Sequence, residues 1–531
     1  MFLIKEILSF IGQINRKYYF DYFIVLLLAL TLFSWLQASP TLPEPDSFYH
    51  AKIAQFISQG KILHQFPWLS ETSLKDNFVD HHFLYHLLLA PFVKLFDPLV
   101  GVKVATVIFT SLTVLLFYWL LKRFAVKWPF LFVMALLSSQ PWLFRASLVK
   151  APVVLLSLIL LAFYFVSHKK YKSLAVISFL SVWLYAGWPL IPVIVILYVL
   201  LVWLLEKIKI KESLWQKVKN FLKIKKQQII PWSAISYCLG GVVGGLTLNP
   251  YFPNNLKFYW QQIVKIAVIN QQGIIGVGGE WYPYGLVKLV SDAPLACALL
   301  LVSILVFLLT FKKQSIYSWL WAFLSFGFFL LTLKSRRYVE LFAPFIIIFS
   351  AFSLSDFIRY YSLKKIWADL GIVWQVVFSA FFILIALGFI INIPRDLKIA
   401  KRDIKNGLPL THYQKASQYL KENSPQNSLV FNADWDDFPA LFYYNDHNYY
   451  LIGLDPTFMY EQSPARYQQY VEVTLGVSRQ NLGKVIHEQF KADYVFLDNN
   501  HRALEQILND NADFKLVYKG EEGKVYKFTG Q

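Results

Sequence analysis

Long apolar runs, separated by polar or basic loops, recur through this chain and constrain its fold most. A run of about 17–25 apolar residues crosses the hydrocarbon core of a bilayer as a helix, because a helix satisfies its own backbone hydrogen bonds where no water is present. Runs read this way are Phe20–Leu36, Val100–Leu121, Trp128–Phe144, Val149–Val166, Leu174–Tyr185, Leu190–Leu205, Ile229–Leu248, Ala293–Phe311, Tyr317–Leu333, Tyr338–Leu354 and Ile372–Ile391. The spacing therefore predicts a polytopic α-helical membrane protein with about 11 spans. Only 16% of the 531 residues are charged, where a soluble chain carries roughly 25%. That deficit excludes a soluble enzyme and a disordered protein. The first run is read as a retained span, since no A-x-A cleavage site follows it. The two cysteines, Cys238 and Cys297, sit in apolar segments, so disulfides and thiolate metal sites are not expected.

Charge gives the orientation. Phe83–Phe96 is apolar but short, with Lys94 inside it and Asp97 after it, and reads as an interfacial helix. With the N-terminus cytoplasmic, the basic loops at Lys122/Arg123/Lys127, Lys169/Lys170/Lys172, Lys312/Lys313 and Arg359/Lys364/Lys365 all fall inside. The tail from about Pro394 then lies outside. The expected location is a plasma (inner) membrane, crossed many times. The formal net charge of +18 thus reports topology and contact with membrane lipids, and no nucleic-acid partner is expected. Lys207–Lys226, where Ile and Leu interleave with lysines, reads as an amphipathic linker on anionic lipid. One short loop breaks the rule: Lys334, Arg336 and Arg337 fall outside. They either snorkel to headgroups or form a phosphate site, to which Arg geometry is suited.

The outer segments carry the polar chemistry. The loop 37–98 holds Pro43-Glu44-Pro45-Asp46-Ser47-Phe48-Tyr49-His50 and ends in Asp80-His81-His82 before the interfacial helix. The loop 249–292 holds Gly278-Gly279-Glu280-Trp281. Arg145 and Lys150 lie at the junction of two spans. A carboxylate just beyond a first span accepts a proton from a nucleophile, or with a second carboxylate or His holds a divalent cation. The competing readings are local. Asp46 and Asp80 cap the helices that follow them, His81 and His82 are interfacial polar residues, and Glu280 is a solvated loop carboxylate. Arg145 and Lys150 either serve a site or snorkel.

From about Leu408 the composition turns polar, and helical and strand patterns alternate. The division expected is 1–393 as the membrane domain and 394–531 as an extracytoplasmic α/β domain. Its distinctive string, Asn432-Ala433-Asp434-Trp435-Asp436-Asp437-Phe438-Pro439, follows the first strand. Loops at strand carboxyl ends bind ligands in α/β sheets; the alternative is a turn that starts a helix at Phe438. Gly453-Leu454-Asp455-Pro456 reads as a strand-ending turn.

The order of these features resembles the GT-C class of membrane glycosyltransferases, whose donors are polyprenyl-phosphate or polyprenyl-diphosphate sugars. Pro45-Asp46-Ser47-Phe48-Tyr49-His50 resembles the acidic motif of the first outer loop, and Asp80 through Pro91 the juxtamembrane His/Pro-rich helix. Gly279-Glu280, Arg336/Arg337 and Asp434-Trp435-Asp436-Asp437-Phe438 are similar to features of the oligosaccharyltransferase catalytic subunit. The chain departs from that subunit in lacking its tryptophan pair and any carboxylate in Ala146–Pro152, where a second acidic motif belongs. The resemblance implies transfer of a sugar on the outer face to a glycan, lipid or protein acceptor. Asp46 would be the general base or would orient the acceptor, with Asp80 and Glu280 also catalytic. Arg336, Arg337, Arg145 and Lys150 would meet the donor phosphate, and Trp435, Asp436 and Asp437 the acceptor. Mg2+ or Mn2+ would sit on Asp46, Asp80, His81 and Glu280, unless the reaction is metal-independent. Oligosaccharyltransferase-like protein glycosylation, and a transporter or flippase of lipid-linked glycans, are the alternatives.

Overall fold

The computed structural model describes residues 19–207, 230–269, 273–477 and 482–530. The basic linker expected at Lys207–Lys226 lies, apart from Lys207, outside them. Helices dominate up to Lys405, and a mixed α/β region follows.

Among the described residues five helices are long and apolar enough to cross a membrane: Phe20–Gln37, Pro98–Arg123, and those within Pro294–Lys313, Ile316–Lys334 and Arg336–Tyr360. Two of them begin at a capping side chain. The Asp97 carboxylate accepts from the backbone N–H groups of Leu99 and Val100, and Pro98 follows as the first helical residue. Ser315 caps the helix Ile316–Lys334 through the Ser318 N–H. Val339–Tyr360 is buried along most of its length and forms the centre of the bundle. Shorter apolar helices include Phe83–Leu95, Pro152–Ser167 and Tyr171–Leu184. The run Trp128–Phe144 is not one helix: it divides into Pro129–Leu137 and Gln140–Ala146. Ser138, Ser139 and Pro141 explain the break, since serines compete for backbone hydrogen bonds and proline cannot donate one.

The helices Tyr171–Leu184 and Trp232–Thr247 pack closely because glycine allows it. A Cβ on Gly241 would lie 2.1 Å from the Ala175 carbonyl oxygen, and one on Gly245 would lie 2.9 Å from that of Phe179. Small residues four apart let two backbones approach in this way. The contact fixes the end of the first helix, where Tyr185 stands.

The C-terminal region holds a five-stranded sheet of order β4-β3-β5-β7-β6. Here β1 is Thr41–Leu42, β2 Leu408–Pro409, β3 Leu429–Asn432, β4 Tyr449–Tyr450, β5 Ala492–Asp498, β6 Phe514–Lys519 and β7 Gly523–Phe528. Strands β4, β3 and β5 run parallel, while β7 pairs antiparallel with both β5 and β6. The short pair β1–β2 joins the chain after the first span to the chain that enters this region. The loop before the helix Phe83–Leu95 docks on the edge strand: Tyr450 donates its N–H to the Trp68 carbonyl at 2.9 Å, and Ser70 donates to the Tyr450 carbonyl at 2.9 Å. Phe66 packs on Phe438 and Phe442. The sheet is thereby held over the end of the bundle where Asp46 lies.

Gly241→Val should destabilise the protein by about 1–3 kcal/mol through overpacking. Gly240→Val, on the open side of the same helix, should leave the melting temperature in detergent unchanged. Equal melting temperatures for the two variants would contradict this packing.

Candidate active site

Asp46 opens the helix Asp46–Ser58, and its carboxylate does not cap that helix. It accepts from the Lys150 ammonium at 3.0 Å. Glu44 accepts from the same ammonium at 2.5 Å, and Glu280 lies 3.9 Å from it. Glu280 is also gripped by two guanidiniums, Arg337 at 2.8 Å and Arg145 at closer range. Arg145 donates to Glu340 at 2.8 Å, and Arg337 donates to the Tyr185 hydroxyl at 2.7 Å. The Arg337 guanidinium lies over the Trp281 ring, 4.7 Å from its centroid. Four carboxylates and three cations from four separate segments thus form one network. A loop of Pro, Glu and Asp can reach it only because the first span ends beside Ser147, whose carbonyl accepts from Gln37.

Burial decides how these charges behave. Burial alone would raise the Glu280 carboxyl, but Lys150, Arg337 and Arg145 outweigh that and hold it well below the usual range. Glu44 goes the other way. Its burial outweighs Lys150, Asp46 and Glu280 add repulsion, and it is pushed up to about 7. Its Oε1 is shielded from solvent and has no partner among the described residues.

A cavity opens beside this network, with Asp46, His50, His81, His82, Arg337 and Asp455 on its wall. A second cavity lies against Arg145, Glu280 and Arg336. The adjacent arginines thus part company. Arg337 lines the first cavity with Asp46, whereas Arg336 donates to the Pro283 carbonyl at 3.2 Å and borders the second.

Asp80 is buried and does not join Asp46. Its Oδ2 meets His86 Nδ1 at 2.7 Å, and its Oδ1 accepts the His82 N–H at 3.0 Å. His86 Nε2 in turn lies 2.7 Å from His50 Nδ1. The His81 ring packs against His82 and Phe258. Burial pushes His81 down to about 3 and holds His50 and His82 well below the usual range, so all three are neutral. Asp46, Asp80, His81 and Glu280 therefore do not converge as a donor set. Among the described residues no group of three or more His, Cys, Asp or Glu side chains is arranged to hold a metal ion. Where the carboxylates do converge, the cation is Lys150.

In the C-terminal string the three residues separate. The Trp435 ring lies against Gly278, beside Glu280. Asp436 is exposed, and its N–H donates to the Asp434 carboxylate at 3.1 Å. Asp437 is buried and accepts from the Tyr413 hydroxyl at 2.8 Å, and a helix does begin at Phe438. Asp455 is a site residue that the sequence reading passed over as part of a turn. It accepts the Thr457 N–H at 2.8 Å, just before the helix Thr457–Gln462, and lines the first cavity. Leu454 before it has a φ of +67°, which is costly for a branched residue. Glu44, Tyr185 and Glu340 were also missed. Of these only Glu44 had a local signal, its place two residues before Asp46.

No sequence-family profile matches the chain, and no curated protein matches it by sequence. Solved structures do match. The Archaeoglobus fulgidus oligosaccharyltransferase in its apo form superposes with a TM-score of 0.59 at 14% identity, covering 91% of this chain and 70% of that one. ArnT from Cupriavidus metallidurans bound to undecaprenyl phosphate gives 0.54 at 12% identity, covering 95% of this chain and 97% of that one. The arabinofuranosyltransferase AftD from Mycobacteria gives 0.53 at 12% identity, covering 97% of this chain and 40% of that one. The chain has a GT-C-like fold.

Glu44 supplies a pH test. Its carboxyl is raised in the folded protein, so the folded state keeps a proton that the unfolded state gives up. Folding is then opposed progressively as pH rises from about 4.5 to about 7, by on the order of 3 kcal/mol when complete. Glu44→Gln should match the wild-type melting temperature at pH 4 and exceed it at pH 8. A difference independent of pH would contradict the assignment.

Proposed function

We propose that this chain is a membrane glycosyltransferase that moves a sugar from a polyprenyl-phosphate or polyprenyl-diphosphate carrier to an acceptor on the outer face of the membrane. The observation that carries the reading is one cavity lined by both Arg337 and Asp46. As the bond from the anomeric carbon to the phosphate breaks, negative charge grows on the leaving phosphate. A guanidinium already oriented by Glu280, Tyr185 and Trp281 meets that charge without reorganising. Lys150 supplies a second positive charge between Asp46 and Glu280. Asp46 orients the acceptor, with its own charge steadied by Lys150. Trp435 and Asp436, beside the Gly278–Glu280 loop, border the acceptor's approach, while Asp437 holds their loop through Tyr413.

Two further points refine the reading. Lys150 already supplies positive charge among Glu44, Asp46 and Glu280, which favours a metal-independent reaction. The ArnT structure binds undecaprenyl phosphate and is matched along 97% of its length, which favours a single-phosphate donor of that kind. The Archaeoglobus fulgidus oligosaccharyltransferase has been solved with dolichol-phosphate and an inhibitory peptide. This chain lacks the paired tryptophans of that family, which favours a glycan or lipid acceptor over a peptide. The distribution of lysines and arginines supports a multi-pass protein with its N-terminus cytoplasmic and its sheet region extracytoplasmic.

Purified protein incubated with a panel of polyprenyl-phosphate sugars should release free lipid phosphate from one of them, equally with and without EDTA. Asp46→Asn should lower that release by about 10²-fold or more while leaving expression normal. Near-normal activity of the variant would remove Asp46 from the mechanism. Activity lost in EDTA and restored by Mg2+ or Mn2+ would contradict the role given to Lys150.

A further inference from the structure

The buried chain Asp80–His86–His50 ends at the cavity wall and has no part in the ion network. Its geometry is set by two contacts of 2.7 Å, from Asp80 Oδ2 to His86 Nδ1 and from His86 Nε2 to His50 Nδ1. Asp80 is 3% exposed, His86 0% and His50 2%. Three buried polar side chains in a row are costly unless each bond is made, so their valences fix the proton positions. An ionised carboxylate only accepts, so His86 Nδ1 carries a proton. With His86 carrying that single proton, its other nitrogen is a lone pair to which His50 donates from Nδ1. That leaves His50 Nε2 unprotonated, on a residue that lines the cavity with Asp46 and Arg337. His50 also stands one helical turn from Asp46 in the helix Asp46–Ser58, on the same face.

Resting on the transferase reading above, we infer that His50 is the proton acceptor for the incoming nucleophile, held in the reactive tautomer by the positioning residues His86 and Asp80. The division of labour follows from the contacts. Asp46 is engaged by Lys150 at 3.0 Å, which holds its carboxylate in place to orient the acceptor. Burial, with His86 and Lys150 nearby, keeps the His50 imidazole neutral, so it holds a lone pair rather than a charge. An imidazole suits a hydroxyl acceptor, whose proton is released as its oxygen bonds to the anomeric carbon. In the step, the acceptor oxygen forms a bond to the anomeric carbon and the bond from that carbon to the phosphate oxygen breaks. The leaving phosphate takes the electron pair. The hydroxyl proton passes to His50 Nε2 and then to solvent. The imidazolium formed is stabilised through His86 by the Asp80 carboxylate, as a buried carboxylate stabilises the histidine of a Ser-His-Asp triad.

His50→Asn tests this, because an asparagine amide can still donate to His86 from near the Nδ1 position but offers no basic nitrogen to the cavity. With the donor that wild-type protein consumes, kcat should fall about 10²–10⁴-fold while the donor KM stays within about threefold. Asp80→Asn should reverse the tautomers along the chain and also lower kcat with little change in KM. If His50→Asn keeps about half or more of wild-type kcat, His50 is not the proton acceptor. If kcat and donor KM deteriorate together, its role is structural and the inference also fails. Both results leave the transferase reading standing, since wild-type protein still consumes the donor. Wild-type protein that releases lipid phosphate from no donor overturns the transferase reading and this inference with it.

Discussion

The rest of the site depends on one carboxylate held by three cations. Glu280 sits on a short turn between two spans and binds Arg337, Arg145 and Lys150, which come from two other parts of the chain. Removing one partner from a buried ionic group costs on the order of 3–5 kcal/mol, because the remaining charges are left uncompensated. Glu280 therefore does more than neutralise charge. It fixes the direction in which each guanidinium presents its remaining donors, and it sets Lys150 within reach of Asp46 and Glu44. Tyr185 and Glu340 complete the arrangement from the bundle side, and the close glycine packing behind Tyr185 keeps that side rigid. A cation held this way is ready for a phosphate before any phosphate arrives.

Much of this was legible in the sequence, for physical reasons that differ from element to element. Apolar runs such as Phe20–Leu36 and Val100–Leu121 announce helices because hydrocarbon leaves the backbone no alternative. Charge asymmetry of the loops placed Asp46, Arg145, Lys150, Glu280 and Arg337 on one face before any contact was known, and the structure brings those five into one network. Parity along the chain gives the side of the bundle but not the partner. Nothing in the local sequence says that Arg145 meets Glu340, 195 residues away, or that Tyr185 accepts from Arg337. The division of Trp128–Phe144 was signalled by Ser138, Ser139 and Pro141, but a hydropathy reading weighs them too lightly.

The histidines show where pattern alone misleads. A run of Asp80, His81 and His82 invites a metal site. In space Asp80 turns instead to His86, six residues on, because it stands before the helix rather than in it. His81 packs among aromatic rings, and the neutral imidazoles line the cavity with lone pairs and rings rather than charge. The result is a cavity with a cationic wall at Arg337, a paired anion at Asp46 and a neutral base at His50. Those three environments differ because burial, ion pairing and hydrogen bonding dominate in turn.

The central claim is that the cationic wall receives the phosphate of a lipid carrier. The most direct test is a structure of the protein in lipid nanodiscs with undecaprenyl phosphate added. The account predicts phosphate density in the first cavity, within hydrogen-bond distance of the Arg337 guanidinium and on the side facing Asp46. Phosphate bound only at the membrane surface, or only beside Arg336 in the second cavity, would contradict it.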